Sequence, residues 1–311
     1  MGSAVNGSQA RMARSGCCDG GGYHGEDGSR TVFHAPERGR LGNRRLMLAG
    51  LVGACALLAL VVAAGRCLAG AAVASDFAAK NLAPCAAHPF GTDWMGRDML
   101  ARTLAGLSTS VFVGLLAAAC SGVIAFALAC VAALGGSVAD AAVSWLVDLV
   151  MGIPHIVLLI LVSYALGRGA VGVTVGVALT HWPSLARVLR AEIVQLREQP
   201  WLSSARAAGA TPWQVVRGHV LPAVLPQLLV GVVLMFPHAI LHEASITFLG
   251  FGLSPDEPAV GVILSESMQY LSAGYWWLAA LPGAALLVVV LAFACLGSLA
   301  RALASARSSQ R

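Results

Sequence analysis

Between Leu46 and Gly65 the chain runs for 20 residues without a charged side chain. A helix needs about 20 residues to cross the hydrocarbon core of a bilayer, and within that core it must satisfy its own backbone N–H and C=O groups. This run therefore predicts a transmembrane helix, placed with its flank over 46–71. Composition carries the conclusion to the rest of the chain. Of 311 residues, 58% are hydrophobic and 11% charged, with a mean hydropathy of +0.77, whereas soluble domains carry about 25% charged residues.

Further apolar segments follow at 108–134, 141–166, 169–186, 220–250 and 277–299, making six with the first. Gly167-Arg168-Gly169 reads as the short turn dividing the third from the fourth. The expected fold is all-α and polytopic, with six transmembrane helices. Residues 1–45 are rich in Gly, Ser and Arg and read as a disordered tail. An extracytoplasmic segment is expected over 72–107, a five-helix core over 108–300 and a short tail over 301–311. The stretch Ala-Ala-Val-Ala-Ser at 71–75 is similar to a signal-peptidase site. A 45-residue leader and a 20-residue apolar run exceed what a cleaved signal uses, so the segment is read as retained.

Arginine and lysine collect in cytoplasmic loops. With the N-terminus inside, the tail carries seven, the 187–217 region five and the C-terminal end three, against five on the other side. Both termini and the 201–219 stretch are thus expected in the cytoplasm. The net charge of +5 is spread over tails and loops, with no basic stripe interleaved with aromatics, which argues against nucleic acid. The eight cysteines lack paired spacing and read as small buried hydrophobes, not as disulfides or a zinc site.

One polar interruption stands out, Ser-Ser-Ala-Arg-Ala-Ala-Gly-Ala-Thr-Pro-Trp-Gln from 203 to 214. Residues 201–208 are helix-prone and Gly209 suits a C-terminal cap. Thr211-Pro212-Trp213-Gln214 has the form of a capping box with proline at the first helical position. Two short helices meeting at a bend serve either as a surface hairpin joining two spans or as a docking element.

This segment resembles the EAA loop of ABC importer permeases. Ala205, Gly209, Leu221 and Pro222 match at the right spacing, while Ser203 and Ser204 replace the Glu and first Ala, and His219 replaces an apolar residue. His88–Arg102 resembles the Gly-Thr-Asp-x-x-Gly-Arg-Asp signature of the dipeptide, oligopeptide and nickel branch, carried here by Gly91, Thr92, Asp93, Gly96, Arg97 and Asp98. Residues 242–261 are similar to that branch's Glu-Ala-Ser-x-x-Phe-Leu-Gly-x-Gly stretch. Asp148, Pro154, Arg187 and Arg190 also fall where the family has them. The resemblance covers residues 88–301. It implies a permease subunit in the bacterial inner membrane, with a second homologous permease, two cytoplasmic P-loop ATPases and an extracytoplasmic substrate-binding protein as partners, and membrane lipid around it. Short peptides or chelated nickel are the implied cargo, and Ser203, Ala205, Gly209, Leu221 and Pro222 the implied ATPase-coupling residues.

The chain's single lysine, Lys80, has no Gly-rich loop before it, so no P-loop can form and ATP must be handled by another polypeptide. The alternative class, a membrane-embedded hydrolase, finds no Gly-x-Ser-x-Gly elbow. His242-Glu243-Ala244-Ser245 lacks the second histidine of His-Glu-x-x-His. No cofactor and no dedicated metal site are expected.

An ionised side chain at mid-bilayer costs at least about 2.5 to 3.5 kcal/mol, so such residues tend to face a cavity or a partner. Asp148 and Glu243 are candidates for a translocation path, Asp148 either there or paired with an arginine near the cytoplasmic boundary. Pro154 should kink its helix. His238 and His242 lie four apart on one helical face, and nickel-importing relatives look to have a similar His-x-x-x-His run. They either touch a divalent ion or its chelator, or pack by hydrogen bonding. His155 and His181 lack a partner at helical spacing and are weaker candidates. Met235, Phe236 and Phe248 read as core. The outer segment 251–276, with Asp256, Glu257, Glu266 and Tyr270, reads as a solvated loop that could receive the binding protein.

Overall fold

The computed structural model describes residues 40–308, with side-chain surroundings over 45–302 apart from Arg206. The tail expected over 1–45, with Cys17 and Cys18, lies almost wholly outside the described residues. The described chain is helical without a strand, as the hydropathy pattern requires. Helix α1 spans Arg40–Cys67 and is followed by the short α2, Ala69–Val73. Helix α3 runs Met99–Leu134, α4 Ser137–Gly152, α5 His155–Ala165 and α6 Gly169–Arg197. Two short helices follow, α7 Pro200–Ala207 and α8 Pro212–Val215. Next come α9, Leu221–Phe248, then α10, Val260–Leu271, and α11, Trp277–Ser308.

All six expected apolar segments fold as helix, but their limits move for physical reasons. Helix α3 begins at Met99, nine residues before the expected start at 108, because Asp98 caps it by accepting from Ala101 N–H at 2.7 Å. Arg102 lies in this added turn, its charge buried against two carboxylates. Helix α6 continues past 186 to Arg197, its added Arg187 and Arg190 paired to acids on α4. Among the described residues four helices are long and apolar enough to cross a membrane, and a fifth crossing results if α4 and α5, bent by 95°, count together, so that at most five of the six expected crossings meet that test and α6 does not. The break at Gly152-Ile153-Pro154 is the expected proline effect, since the ring supplies no N–H and excludes helical geometry just before it.

Between α8 and α9 the helix does not stop. Residues 216–220 form a π turn, so that Pro212–Phe248 is one 37-residue helix. A π turn lets the ladder absorb a missing donor, and Pro222 supplies the reason.

The interior is built around α3, whose inward face is largely alanine: Ala117, Ala118, Ala125 and Ala129 are all completely buried. Small residues let backbones approach where no hydrophobic driving force separates protein from lipid. One cluster joins the second half of α3 to α4, α6 and the start of α9. Another gathers α1, α3, α9, α10 and α11, with Phe236 stacked on Phe293 at 3.6 Å between ring centroids. A third holds α5 and α6 against α3 and α9.

Met235 and Phe236 are core as expected, but Phe248 is exposed. The six described cysteines are free, yet five are exposed rather than buried: Cys85 lies in the loop before α3, and the other four are exposed on helices. The 251–276 stretch is not simply a loop, since α10 occupies 12 of its residues and packs into the second cluster.

Candidate functional site

The Gly-Thr-Asp-x-x-Gly-Arg-Asp stretch folds into a tight knot before α3. Asp93 is buried and accepts from the N–H groups of Met95 and Arg97 at 2.8 and 2.9 Å. Its other oxygen accepts from Arg97 Nε and Arg102 Nη1, both at 2.6 Å. Both arginines also reach Glu266 on α10, at 3.4 and 3.0 Å. Thr92 Oγ donates to Ala79 C=O and accepts from Leu82 N–H, while His88 Nδ1 lies 2.7 Å from Asp98. Gly96 has φ +76°, and a Cβ there would fall 1.7 Å from Asp76 O. Gly91 and Gly96 are both buried, so the motif ties the segment before α3 to α10 and presents no open site.

The Glu-Ala-Ser-x-x-Phe-Leu-Gly-x-Gly stretch is a second knot. Glu243 is completely buried and accepts from Thr247 Oγ at 3.0 Å, which in turn accepts from Leu253 N–H. Ser163 Oγ donates to Phe251 O, and Gly169 N–H to Gly252 O, so the end of α9 is tied to the turn between α5 and α6. Glu243 therefore does not face the large cavity proposed below as part of the path. Four residues separate it from Thr247, and the bond between them turns its carboxyl toward the turn it holds.

The histidine candidates gather around one cavity of about 780 Å³. The α4–α5 break, the middle of α6 and one face of α9 line it, including Pro154, His155, His181, Ser184, Gln227, Met235, His238 and His242. His238 is exposed and His242 half-buried. The expected pairing of these two on one face holds, but contact runs through the backbone: His242 Nδ1 lies 2.7 Å from His238 O. The tertiary fold instead brings His242 to His155 and His181, with ring centroids 4.5, 4.5 and 5.1 Å apart. Sequence spacing hid this association, since the three come from α5, α6 and α9. The one local signal was Pro154, which breaks the span and leaves His155 at the first position of α5.

Asp148 lies beside a smaller cavity of about 330 Å³, with Arg187 and Arg190. Arg187 donates to Asp148 at 2.6 Å, the pairing offered as its alternative role. Arg190 grips both carboxylate oxygens of Asp140.

The 201–219 stretch forms the expected helix, bend and helix. Gly209 closes α7 at φ +86°, a left-handed conformation that glycine adopts without the Cβ penalty. Thr211 and Gln214 complete both halves of the capping box at α8. Ser203 and Ser204 point their hydroxyls at Pro200 O and are exposed, while Ala205 and Leu221 are half-buried and Pro222 is exposed. Trp201 and Trp213 project outward. Leu202, Val215 and Val220 project inward and are buried in the cluster that holds α3, α4 and α6.

The family of binding-protein-dependent transport system inner membrane components matches residues 123–307. The chain belongs to that family. Among curated relatives, the probable D,D-dipeptide transport system permease protein DdpC of Escherichia coli (strain K12) is 33% identical, over 72% of this chain and 75% of that protein. The dipeptide transport system permease protein DppC of Bacillus subtilis (strain 168) is 28% identical over 83% of this chain and 81% of its own length. A putative peptide transport system permease protein of Brucella suis biovar 1 (strain 1330) is 33% identical over 86% and 93%. Among solved structures, a chain of the inward-facing MetNI methionine ABC transporter is 25% identical, covering 66% of this chain and 97% of that one at a TM-score of 0.49. This permease is thus an inner-membrane, multi-pass component of an ABC importer of the peptide-transport type, and its relatives are named as transport proteins, not enzymes.

Proposed function

We propose that this permease pairs with a second, homologous permease to enclose the path of an importer for short peptides, with α7 and α8 held on the cytoplasmic side by one of two P-loop ATPases. An extracytoplasmic binding protein delivers the cargo, and lipid covers the exposed apolar faces, such as Val123, Leu161 and Leu287. Peptide cargo is supported by the relatives named as dipeptide and peptide permeases.

The continuity of α8 with α9 is the observation that carries this reading. A load applied at Trp213 enters a helix that runs on through the 216–220 π turn to His238 and His242, while Leu202 and Val215 engage the α3–α4–α6 cluster from the same place. Closure of the ATPases would move the cavity wall as one piece, which is what alternating access demands. Asp148, His238 and His242 are the path residues in this reading. A chelated metal ion such as nickel is the second cargo reading, favoured by the histidines on the cavity wall.

Site-specific photocrosslinking tests the contact. A photoreactive side chain replacing Trp213, which is 69% exposed, should capture the ATPase subunit in cells, and the adduct should be absent from cells that lack that subunit. Capture of extracytoplasmic proteins instead would reverse the orientation and end the proposal.

A further inference from the structure

Three of the cavity's histidines form an arrangement that neither peptide cargo nor coupling explains. One ring nitrogen from each of His155, His181 and His242 lies within 4.8 Å of the other two. Their rings meet edge to face, each plane within about 10° of perpendicular to its neighbours, at 82°, 89° and 90°. A packed aromatic core does not need three imidazoles, and burying polar rings together has a cost unless their nitrogens are used.

Their hydrogen bonds define which nitrogens are available. His242 Nδ1 is 2.7 Å from His238 O, and His181 Nδ1 is 3.0 Å from Val177 O. Each carbonyl accepts, so each Nδ1 carries the proton and each Nε2 keeps its lone pair. Nε2 of His181 and Nε2 of His155 are buried with no hydrogen-bond partner among the described residues. Backbone carbonyls that fix the tautomer of an imidazole are what metal-ligating histidines use to orient the ring.

We propose that His155, His181 and His242 bind one borderline divalent transition-metal ion, of the class to which Zn²⁺, Ni²⁺ and Co²⁺ belong. Imidazole suits these ions, and three protein nitrogens leave at least one coordination position open to water or to a donor from a small chelator. Metal–nitrogen bonds of about 2.0–2.1 Å need the nitrogens about 3.3 Å apart, so the rings close inward by about an ångström. All three side chains are half-buried and border the 780 Å³ cavity, which gives an ion or its chelate a way in. His155 opens α5 just after the α4–α5 break, while His181 and His242 lie on α6 and α9, so occupancy would fasten α5 to α6 and α9. The site is a property of this chain and holds whichever cargo is carried.

The test uses the full chain, purified without a polyhistidine tag and reconstituted in nanodiscs, titrated with Co²⁺ alone. The wild type should take up one Co²⁺ with the visible ligand-field bands of a nitrogen-ligated, low-coordinate ion, and Zn²⁺ should displace it. His155→Ala, His181→Ala and His242→Ala should each weaken binding by more than the roughly 10–100-fold that loss of a supporting hydrogen bond causes. His219→Ala removes an imidazole that does not line the cavity and should retain the bands. Circular dichroism and gel-filtration profiles matching the wild type establish that each variant is folded, and His155→Gln serves where His155→Ala is not. A wild type without the bands, or folded triad variants that bind Co²⁺ as the wild type does, would overturn the assignment.

Discussion

Arg102 donates to Asp93 at 2.6 Å with both side chains only 5% exposed. Removing one partner of a buried pair leaves an uncompensated charge, which costs about 3–5 kcal/mol. Glu266 stays beside Arg102 when Asp93 is lost, so the cost falls toward the lower end of that range. Asp93→Ala should therefore lower the detergent melting temperature and the yield of inserted protein, whereas Lys80→Ala, at a neighbouring position outside the network, should not. Equal melting curves would mean that the knot does not hold α3 to α10.

The same knot makes a sharper claim at Gly96. A methyl group there meets Asp76 O at 1.7 Å on a backbone already at φ +76°, so neither the space nor the conformation allows a side chain. Gly152, at the α4–α5 break, has open space around its missing Cβ and no positive φ. Gly96→Ala should abolish accumulation of the folded chain, and Gly152→Ala should leave it near wild type. Quantitative immunoblotting of membranes reads both.

Asp148 and Arg187 form an exposed pair, the side chains 70% and 52% accessible. Such a pair contributes about 0–1 kcal/mol, so structure alone gives Asp148 little reason to matter. If it borders the path, Asp148→Asn should cut peptide uptake at least tenfold with a melting temperature within error of the wild type. Unchanged uptake would return Asp148 to a peripheral ion pair with no part in transport.

What could be read from sequence follows the length scale of the physics. Apolar runs and their breaks are local, and so the helices, the Pro154 kink, the Gly167–Gly169 turn and the Thr211 capping box were all legible. The early start of α3 was not, because Arg102 is acceptable in a helix only once Asp93 and Glu266 are brought to it, the latter from 164 residues away. Glu243 illustrates the same limit. A carboxyl in an apolar helix reads as a path residue; its partner Thr247 lies one helical turn on, but the bond from Leu253 N–H that fixes Thr247 forms only when the chain reverses. His155, His181 and His242 are 26 and 61 residues apart along the chain, beyond any periodicity, and only the packing of α5, α6 and α9 joins them.

The strongest claim about mechanism falls on Gly209. Its φ of +86° lets α7 end and the chain turn into Thr211, while its missing Cβ faces open space. Proline is locked near φ −65° and would force a different exit from α7. Alanine would meet only the left-handed strain of about 1–2 kcal/mol. The two substitutions therefore separate geometry from stability. Because Leu202, Val215 and Val220 anchor the short helices and the long spans stay intact, Gly209→Pro should still insert in the membrane. It should, however, misdirect Trp201 relative to Trp213 and so break the transmission from the ATPase into α9. In reconstituted transporter, Gly209→Pro should reduce peptide uptake at least tenfold while ATP hydrolysis persists, and Gly209→Ala should keep most of the uptake. Full uptake by the proline variant would show that the bend does not carry the stroke.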